Sequence, residues 1–522
     1  MSAHESGPPL STCYGEKDPM TTDALDLTAI EQTLLTLNYR LTSRALNLWQ
    51  GSETGLSGGS VYDDLDDHLK PTTIAKLRQA PIPKKERERV LHGLLGHYLQ
   101  YRLFPFENEL FTWMKGAAAQ VDGEKVYFKD ILSWCQKRSD LEKRRILEKE
   151  TMSLCKFLKP FALSFWEYLL ELLRDEFAYA GYAAYCKDKK HVDYEGYIPK
   201  LRTLLKETKA LYFEAMAFWT RRTLGLPLAE LNRFDAVYLL GLGEFDSLFP
   251  SHISLGKLLD FFNQWGLNVK DMSGVHLHID HSSNKSAQAM SFALRIPDDI
   301  HLVMNPQGGW IDLETLFHEM GHTLSHALTS ARLSVAEKDF FTSNALSETH
   351  AFLLQNMCFS PPFLERALGL SSTVIEEITF FKALKDLSVF RRYVSKFLAE
   401  YEMFNSNGIG DGETYARLLK EYTGFSYRPE TQLFDLAPEF YALDYVMSWI
   451  AEATMEKGLI QMLGDDWMFK PEAGKILKDW WQCGNRYELD EFFSIKGLGA
   501  VDPADIVDRW QQNIGGKNNK AG

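Results

Sequence analysis

His318-Glu319-Met320-Gly321-His322 is the stretch from which the rest of this sequence is best interpreted. It has the pattern HExxH. Residues four apart on a helix share one face, so His318 and His322 can hold one metal ion while Glu319 projects toward a water molecule at that ion. The stretch therefore predicts a hydrolytic metal site on a helix.

The surrounding residues, 311–329, favour that helix. Asp312 is predicted to cap its N-terminus, and Glu314 places negative charge in the first turn, where the helix dipole favours it. Apolar residues recur at helical spacing and are expected to face the core: Leu313, Leu316, Phe317, Met320, Leu324 and Leu328. One amphipathic helix should therefore carry both histidines.

A third metal ligand is expected nearby, because a catalytic zinc usually has three protein ligands and one open position for water. Glu348 is the predicted third ligand. It lies in the next predicted helix, antiparallel to the first across a loop near 333–339. The alternatives are Glu337 and Asp339, which fall in that loop, and His350. On a helix, His350 would point about 200° away from Glu348, so only one of that pair can face the metal.

The composition describes a large folded protein with excess negative charge. The chain has 522 residues, of which 13% are aromatic, so disorder is excluded for most of it. Its net charge of −14 argues against nucleic acid or an anionic membrane as the main partner. No pattern in the sequence indicates the oligomeric state.

Three features predict a cytoplasmic protein. Residues 1–25 lack a basic start followed by an apolar run, so no signal peptide is expected. The most apolar window, 157–184, is interrupted by charged residues and should form a buried helix or helix pair rather than a membrane span. The cysteines are widely spaced without a C-x-x-C pattern and are expected to be reduced thiols: Cys13, Cys135, Cys155, Cys186, Cys358 and Cys483.

Helical periodicity dominates the first part of the chain. Helices are predicted at 30–49, 84–103, 128–157, 163–185 and 197–218. A flexible loop rich in Gly and Ser is expected at 51–59, and Gly225 and Pro227 mark a boundary within 222–230. The predicted organisation is a flexible tail (1–26), an N-terminal helical lobe (27–225), a catalytic lobe (226–514) and a frayed tail (515–522).

The period of the pattern changes just before the HExxH stretch. Apolar residues alternate at 275–279 and 290–296, and a short apolar run follows at 300–304, so three strands are predicted. They should form a small antiparallel sheet, whose exposed edge could accept an extended peptide as an added strand. After Glu348 the pattern is helical again, at 375–404, 412–422, 440–462 and 473–492.

A second metal-like pattern, HxHxDH, occupies 276–281. It is similar to the metal-binding signature of metallo-β-lactamase-type hydrolases, but that family takes its other ligands from a largely β scaffold, whereas this chain is predicted to be mostly helical. The simpler interpretation is that His276 and His278 share one face of a short strand and that His281 begins a turn. We therefore expect no metal ion at this pattern.

Over residues 271–458 the sequence resembles the thimet oligopeptidase and oligoendopeptidase F group of zinc oligopeptidases. The resemblance is carried, in order, by Asn284-Lys285-Ser286-Ala287, the strand at 300–304, the segment 315–322, Glu348 and the segment 440–445. It implies that His318, His322 and Glu348 bind one zinc ion and that Glu319 activates water. It also implies a mostly helical, two-lobed molecule with a deep channel that admits short, unfolded peptides as substrates.

Tyr441 and Tyr445 are candidates for stabilising the oxyanion that forms during peptide hydrolysis. They lie four apart on a predicted helix opened by Pro438 and could present phenol donors together, with Tyr445 the stronger candidate. The alternative is that both rings are packing residues of an amphipathic helix.

Several alternatives stay open from the sequence. The protein could be an angiotensin-converting-enzyme-like peptidyl-dipeptidase, or a catalytically weak peptide-binding relative. His326, one helical turn after His322, is either a neighbour that supports a metal ligand or an exposed residue. Glu439 or Leu436, depending on the alignment, stands where the family has a histidine. If it is Glu439, this residue should point away from the site, be protonated, or bind a cation such as a peptide amino terminus. Ser325 and the absence of glycine in 439–445 are further departures from the family.

Overall fold

The computed structural model describes residues 25–52, 59–65, 68–249, 255–286, 288–406 and 409–515. Most of both predicted tails, most of the loop at 51–59, Cys13 and Ala287 lie outside the described residues. Within those ranges the chain is mostly helical, with 21 α-helices and five β-strands. None of the described helices is long and apolar enough to cross a membrane.

Ten α-helices precede the main sheet. They are α1 (Leu27–Gln50), α2 (Gly59–Tyr62), α3 (Pro71–Arg78), α4 (Lys84–Gly116), α5 (Ile131–Gln136), α6 (Leu141–Asp175), α7 (Tyr182–Lys190), α8 (Tyr194–Glu207), α9 (Lys209–Leu224) and α10 (Arg233–Leu239). The predicted helix at 128–157 is divided, because Asp140 caps a new helix by accepting a hydrogen bond from the Lys143 N–H. Conversely, α4 and α6 continue through Pro105 and Pro160, beyond the predicted ends.

A two-stranded hairpin between α4 and α5 was not predicted. Its strands, β1 (Ala118–Val121) and β2 (Glu124–Tyr127), pair antiparallel. The two residues that connect them, Asp122 and Gly123, both have positive φ, at 49° and 82°. Asp-Gly in this conformation is the preferred two-residue hairpin turn, so this turn is the signal from which the hairpin could have been found.

The three strands before the HExxH helix occur where they were predicted, but their sheet is mixed. The strands are β3 (Val275–Ile279), β4 (Met290–Arg295) and β5 (Asp299–Met304), in the order β3-β5-β4. β4 and β5 form an antiparallel hairpin, and β3 pairs with the other edge of β5 in parallel. We expected the sheet to be antiparallel throughout, and this was wrong for β3. β5 is the central strand, and β3 pairs with it in parallel.

The central strand β5 is buried on both faces. Leu302 and Met304 join the main core, whereas Val303 packs with Phe292 and with Leu46 of α1 in a separate small core. Since neighbouring residues of a strand point to opposite faces, one face of the sheet lies on the main core and the other lies under α1.

Eleven α-helices follow the sheet. They are α11 (Trp310–Ala327), α12 (Val335–Lys338), α13 (Ala345–Met357), α14 (Pro361–Arg366), α15 (Ser372–Phe404), α16 (Glu413–Thr423), α17 (Gln432–Asp435), α18 (Tyr441–Leu463), α19 (Pro471–Trp481), α20 (Leu489–Ile495) and α21 (Pro503–Trp510). The predicted capping role of Asp312 was wrong, because α11 begins at Trp310 and its N-cap is Gly309. Asp312 instead accepts a hydrogen bond from the Gly308 N–H in front of the helix.

One main hydrophobic core contains buried residues from both predicted lobes, the first being Ile30 and the last Ile514. α9 ends at Leu224, and Gly225 caps its C-terminus with φ 69°. The division into two lobes stays a prediction. The five cysteines in the described ranges are free thiols, and four of them are buried.

Candidate metal centre

The two helices that carry the predicted metal ligands, α11 and α13, lie in unusually close contact at Gly321. A Cβ atom at this glycine would lie 2.5 Å from the Cα of Ala351 and 2.8 Å from the carbonyl oxygen of His350. Any larger residue would force the helices apart. The glycine of the HExxH stretch therefore sets the distance across which the histidines face Glu348.

His318, His322 and Glu348 converge as a group that could hold a metal ion. Glu348 Oε2 lies 3.5 Å from His318 Nε2 and 3.6 Å from His322 Nε2. Zinc bonds of ordinary length at tetrahedral angles would separate such atoms by roughly 3.4 Å. Glu348 Oε2 is also buried without a hydrogen-bond partner in the described part of the chain. A buried carboxylate oxygen between two imidazole nitrogens fits a divalent metal ion.

The outer nitrogens of both histidines have partners on α13. His318 Nδ1 lies 2.8 Å from Gln355 Oε1, and His322 Nδ1 lies 3.0 Å from Ser347 Oγ. When each Nδ1–H donates to its partner, the lone pair of Nε2 faces Glu348, which is the arrangement a metal ligand needs. The sequence analysis missed Gln355 and Ser347. Gln355 lies two helical turns after Glu348 on the same face, and that spacing is the signal that could have found it.

Gln355 is itself held by a buried ion cluster. Its Nε2 donates to Glu314 Oε1 at 3.2 Å, and Glu314 lies 2.6 Å from Lys385 Nζ and 3.3 Å from Lys382 Nζ. Burial alone would raise the pKa of Glu314, but the two lysines of α15 lower it overall. Glu314 was expected only to complement the helix dipole. In the structure it also links α11 to α15 through its ion pairs with the two lysines.

The charges at the centre favour an ionised Glu348. Burial would raise its pKa, but His322 and His318 lower the pKa well below its usual range. For His318, burial lowers the pKa and Glu348 more than offsets that effect, so the pKa is raised. Glu348 is therefore available as an anionic ligand between the two imidazoles, which suits a divalent cation.

Glu319 lies between the centre and the sheet. Its Oε2 accepts a hydrogen bond of 2.7 Å from the backbone N–H of Ser291 on β4. Among the described residues, β4 is an end strand of the three-stranded order, so its outer edge is not paired with another strand. The carboxylate therefore faces both the metal ligands of its own helix and a strand edge.

The two predicted tyrosines both lie at the centre, in different settings. Tyr441 donates a hydrogen bond to Glu348 Oε1, on the carboxylate whose other oxygen faces the histidines. The ring of Tyr445 stacks on Tyr393, with centroids 5.1 Å apart. Burial and then the charges of Glu348, Tyr393 and Glu319 raise the pKa of Tyr445, so its phenol is neutral and close to both carboxylates.

The alternatives for the third ligand lie elsewhere. Glu337 pairs with Arg486 at 2.8 Å. Asp339 lies 3.8 Å from the amine of Lys338. His350 is buried with its ring 5.6 Å from that of Phe492, and burial, with smaller contributions from nearby histidines, lowers its pKa to about 3. Of the four candidates only Glu348 belongs to the group.

His326 is not a metal ligand in this arrangement. Its ring is parallel to that of His322 at 6.4 Å and meets Phe341 edge-on at 5.9 Å. Both ring nitrogens are buried without hydrogen-bond partners among the described residues, and burial followed by the His322 charge lowers its pKa to about 3. His326 is thus a neutral residue packed beside His322, and the expectation that it could be exposed was wrong.

Glu439 forms an ion pair with Lys189. Lys189 Nζ of α7 donates to both carboxylate oxygens, at 2.7 and 2.8 Å, and the hydroxyl of Tyr185 donates at 2.9 Å. Burial would raise the pKa of Glu439, but Lys189 and Lys190 lower it overall. The carboxylate is therefore ionised and paired within the chain, which argues against the protonated alternative.

The HxHxDH pattern lies on strand β3 and the turn after it, as predicted. His281 contacts Gln307, away from the strand, so the residues of the pattern do not converge on one point. His276 instead lies beside two residues of β5, Asp299 and His301, and these three form a second group that could hold a metal ion. The sequence pattern could not identify this group, since it depends on how β3 pairs with β5.

A scan against protein-family models and a search of curated proteins find no match to this chain. The resemblance seen in the sequence therefore stays a prediction. What can be concluded about function depends on the geometry of the centre and on its chemistry.

Proposed function

We propose that this protein is a zinc-dependent endopeptidase that hydrolyses short, unfolded oligopeptides. The observation that carries the proposal is the convergence of His318 Nε2, His322 Nε2 and Glu348 Oε2 within 4.8 Å of one another. Two imidazoles and a carboxylate form a common ligand set of catalytic zinc, with one position left for water or substrate. Bound there, zinc would supply a Lewis acid and a water molecule that ionises near neutral pH.

Glu319 is the proposed general base. It follows the first ligand on α11, and its Oε2 is fixed by the Ser291 N–H. A carboxylate held in this way can take a proton from the attacking water and return it to the leaving amine. The backbone hydrogen bond restricts rotation of the side chain, so the base is oriented before substrate binds.

The tyrosines have separate proposed roles. Tyr441 donates to Glu348 and is a positioning residue, because it acts through a metal ligand. Tyr445 is the proposed donor to the oxyanion that develops on the scissile carbonyl. Its raised pKa keeps the phenol protonated, and a protonated phenol near the reacting carbon is what an oxyanion donor requires.

The unpaired edge of β4 supports a peptide substrate. An extended peptide can add to such an edge through backbone hydrogen bonds, without selecting particular side chains. Since Ser291 on this edge contacts Glu319, a peptide bound there would present its backbone to the base. A folded protein lacks a free extended segment of this kind, so short unfolded peptides are the proposed substrates.

The proposal is tested by zinc-dependent cleavage of a mixed-length peptide set. The protein is freed of metal by a chelator, reloaded with zinc, and its products are identified by mass spectrometry. We expect cleavage at internal bonds only after reloading, and none by the His322→Ala variant. Release of C-terminal dipeptides alone would instead identify a peptidyl-dipeptidase, and the absence of any products from zinc-loaded protein would contradict the proposal.

A further inference from the structure

Three histidines lie in a row on the face of the sheet that α1 covers. His276 of β3 is paired in register with His301 of β5, and their rings lie 4.5 Å apart. The ring of His278, two residues along β3, is parallel to that of His301 at 5.2 Å. This face is the opposite one to the core beneath α11, so the row is separate from the centre described above.

Asp299 completes a group of potential ligands around His301 and His276. Its Oδ1 lies 2.9 Å from His301 Nε2 and 3.4 Å from His276 Nε2. The corresponding separations at the first centre are 3.5 and 3.6 Å. The ligand atoms of all three residues lie within 4.8 Å of one another, and the ligands of one ion at ordinary bond lengths lie roughly 3.4 Å apart.

His278 is an independent observation that points to a ligand at this place. Its Nε2 lies 2.9 Å from His301 Nδ1. If His301 Nδ1–H donates to His278, the lone pair of His301 Nε2 is directed at Asp299 and His276. A histidine whose far nitrogen is held by a neighbour is the usual arrangement in metal sites, and it fixes both ring orientation and tautomer.

The setting also keeps the imidazoles available. The nearby amine of Lys285 is paired with Asp280 and the carbonyl oxygen of His278, away from the ring nitrogens. His276 is 45% exposed, so an ion can enter from solvent.

We propose that His276, Asp299 and His301 bind a second divalent transition-metal ion, of the zinc class that two imidazoles and one carboxylate favour. The ion joins the edge strand β3 to the central strand β5. It is independent of the proposed peptidase centre, because none of its ligands belongs to α11 or α13. With one ligand exposed, it exchanges more readily than an ion at the buried first centre.

The test uses the full chain with the first centre removed by His318→Ala and His322→Ala, so that any remaining site is the second one. Zinc bound per chain is measured by equilibrium dialysis and mass spectrometry. We expect one ion per chain, and we expect the further change His276→Ala to weaken its binding at least about tenfold. His281→Ala is the matched control, because this histidine lies in the same segment outside the group, and it should leave binding unchanged.

Two further measurements keep the outcome clear if a variant is unstable. Asp299→Asn keeps an oxygen acceptor for His301 while removing the charge, and it should also weaken zinc binding. In the same background, zinc should raise the melting temperature, and His276→Gln should abolish that increase. Absence of bound zinc in the background, or binding that His276→Ala, Asp299→Asn and His276→Gln leave unchanged, would overturn the proposal.

Discussion

At the scale of single residues, the geometry of the centre depends on hydrogen bonds between neighbouring side chains and His318, His322 and Glu348. Gln355 and Ser347 orient the two histidines, and Tyr441 orients Glu348. The pairing of His318 with His322 on one helix face could be predicted from sequence, because HExxH spacing on a helix leaves little choice. The partners of the ligands could not, since Gln355, Ser347 and Tyr441 become neighbours of the ligands only when α13 and α18 pack against α11.

The separate roles of the two tyrosines predict different kinetic effects. Tyr445→Phe should lower kcat by about ten- to a thousandfold with little change in KM or zinc affinity, because a donor to developing charge acts in the transition state. Tyr441→Phe, the matched change one turn earlier, should instead weaken zinc binding. Steady-state kinetics and zinc titration of both variants check this. An unchanged kcat for Tyr445→Phe would show that its ring is a packing residue.

The ion pair between Glu439 and Lys189 predicts a stability effect. Glu439→Gln should lower the free energy of unfolding at pH 7 by about 1–3 kcal/mol, because Lys189 loses a charged partner in a mostly buried site. The folded-state pKa of Glu439 is lowered, so its stabilisation is present above its unfolded pKa and is lost as pH falls through the folded value. The difference from wild type, measured by denaturant unfolding, should therefore shrink in acid.

Glu439→Gln should also cut peptides with free and with acetylated amino termini equally well, because Lys189 already occupies the carboxylate. A selective loss of activity on the free-amine peptides would show that Glu439 binds the substrate amino terminus instead.

At the scale of elements, the close contact of α11 with α13 fixes the distance between the ligands. The helices and the three strands near the site could be predicted from periodicity. The parallel pairing of β3 with β5 could not be predicted, because alternation of apolar residues indicates a strand but not which strand pairs with it. The predicted helix ends at 103 and 157 were wrong, because α4 and α6 continue past Pro105 and Pro160 and pack against each other.

This contact predicts the effect of Gly321→Ala. The added methyl group would meet the Ala351 backbone, so the variant should lose about 1–3 kcal/mol of stability and bind zinc more weakly. Gly96→Ala is the matched control, because Gly96 lies inside α4 with open space around its Cα. It should be neutral or stabilise the protein by up to about 1 kcal/mol. Equal stability of the two variants would contradict the importance of the helix contact.

At the scale of the whole molecule, helices from the first part of the chain border a cavity. This cavity of about 430 Å³ lies between them and the segments 340–341 and 438–439. Its wall includes Phe341, which contacts His326 beside the ligand His322. Sequence periodicity predicted the helices but not this cavity, because it depends on packing between residues far apart in the chain.

The proposed restriction to short peptides predicts selectivity for unfolded substrates, because a restricted entrance to the centre would exclude a folded protein. A stable folded protein and a set of peptides from its own sequence are given to the enzyme under native conditions. The peptides should be cut and the folded protein should stay intact, and Glu319→Gln serves as the control for contaminating proteases. Efficient cleavage of the folded protein, absent from the control, would contradict a restricted entrance.

The central claim is that a metal ion held by His318, His322 and Glu348 works with Glu319 to hydrolyse peptides. The most direct test compares Glu319→Gln with wild type for zinc content and peptide turnover in the same preparations. We predict unchanged zinc and a loss of turnover of at least about a hundredfold, because the base is removed while every ligand remains. Turnover within tenfold of wild type, with zinc retained, would contradict the claim.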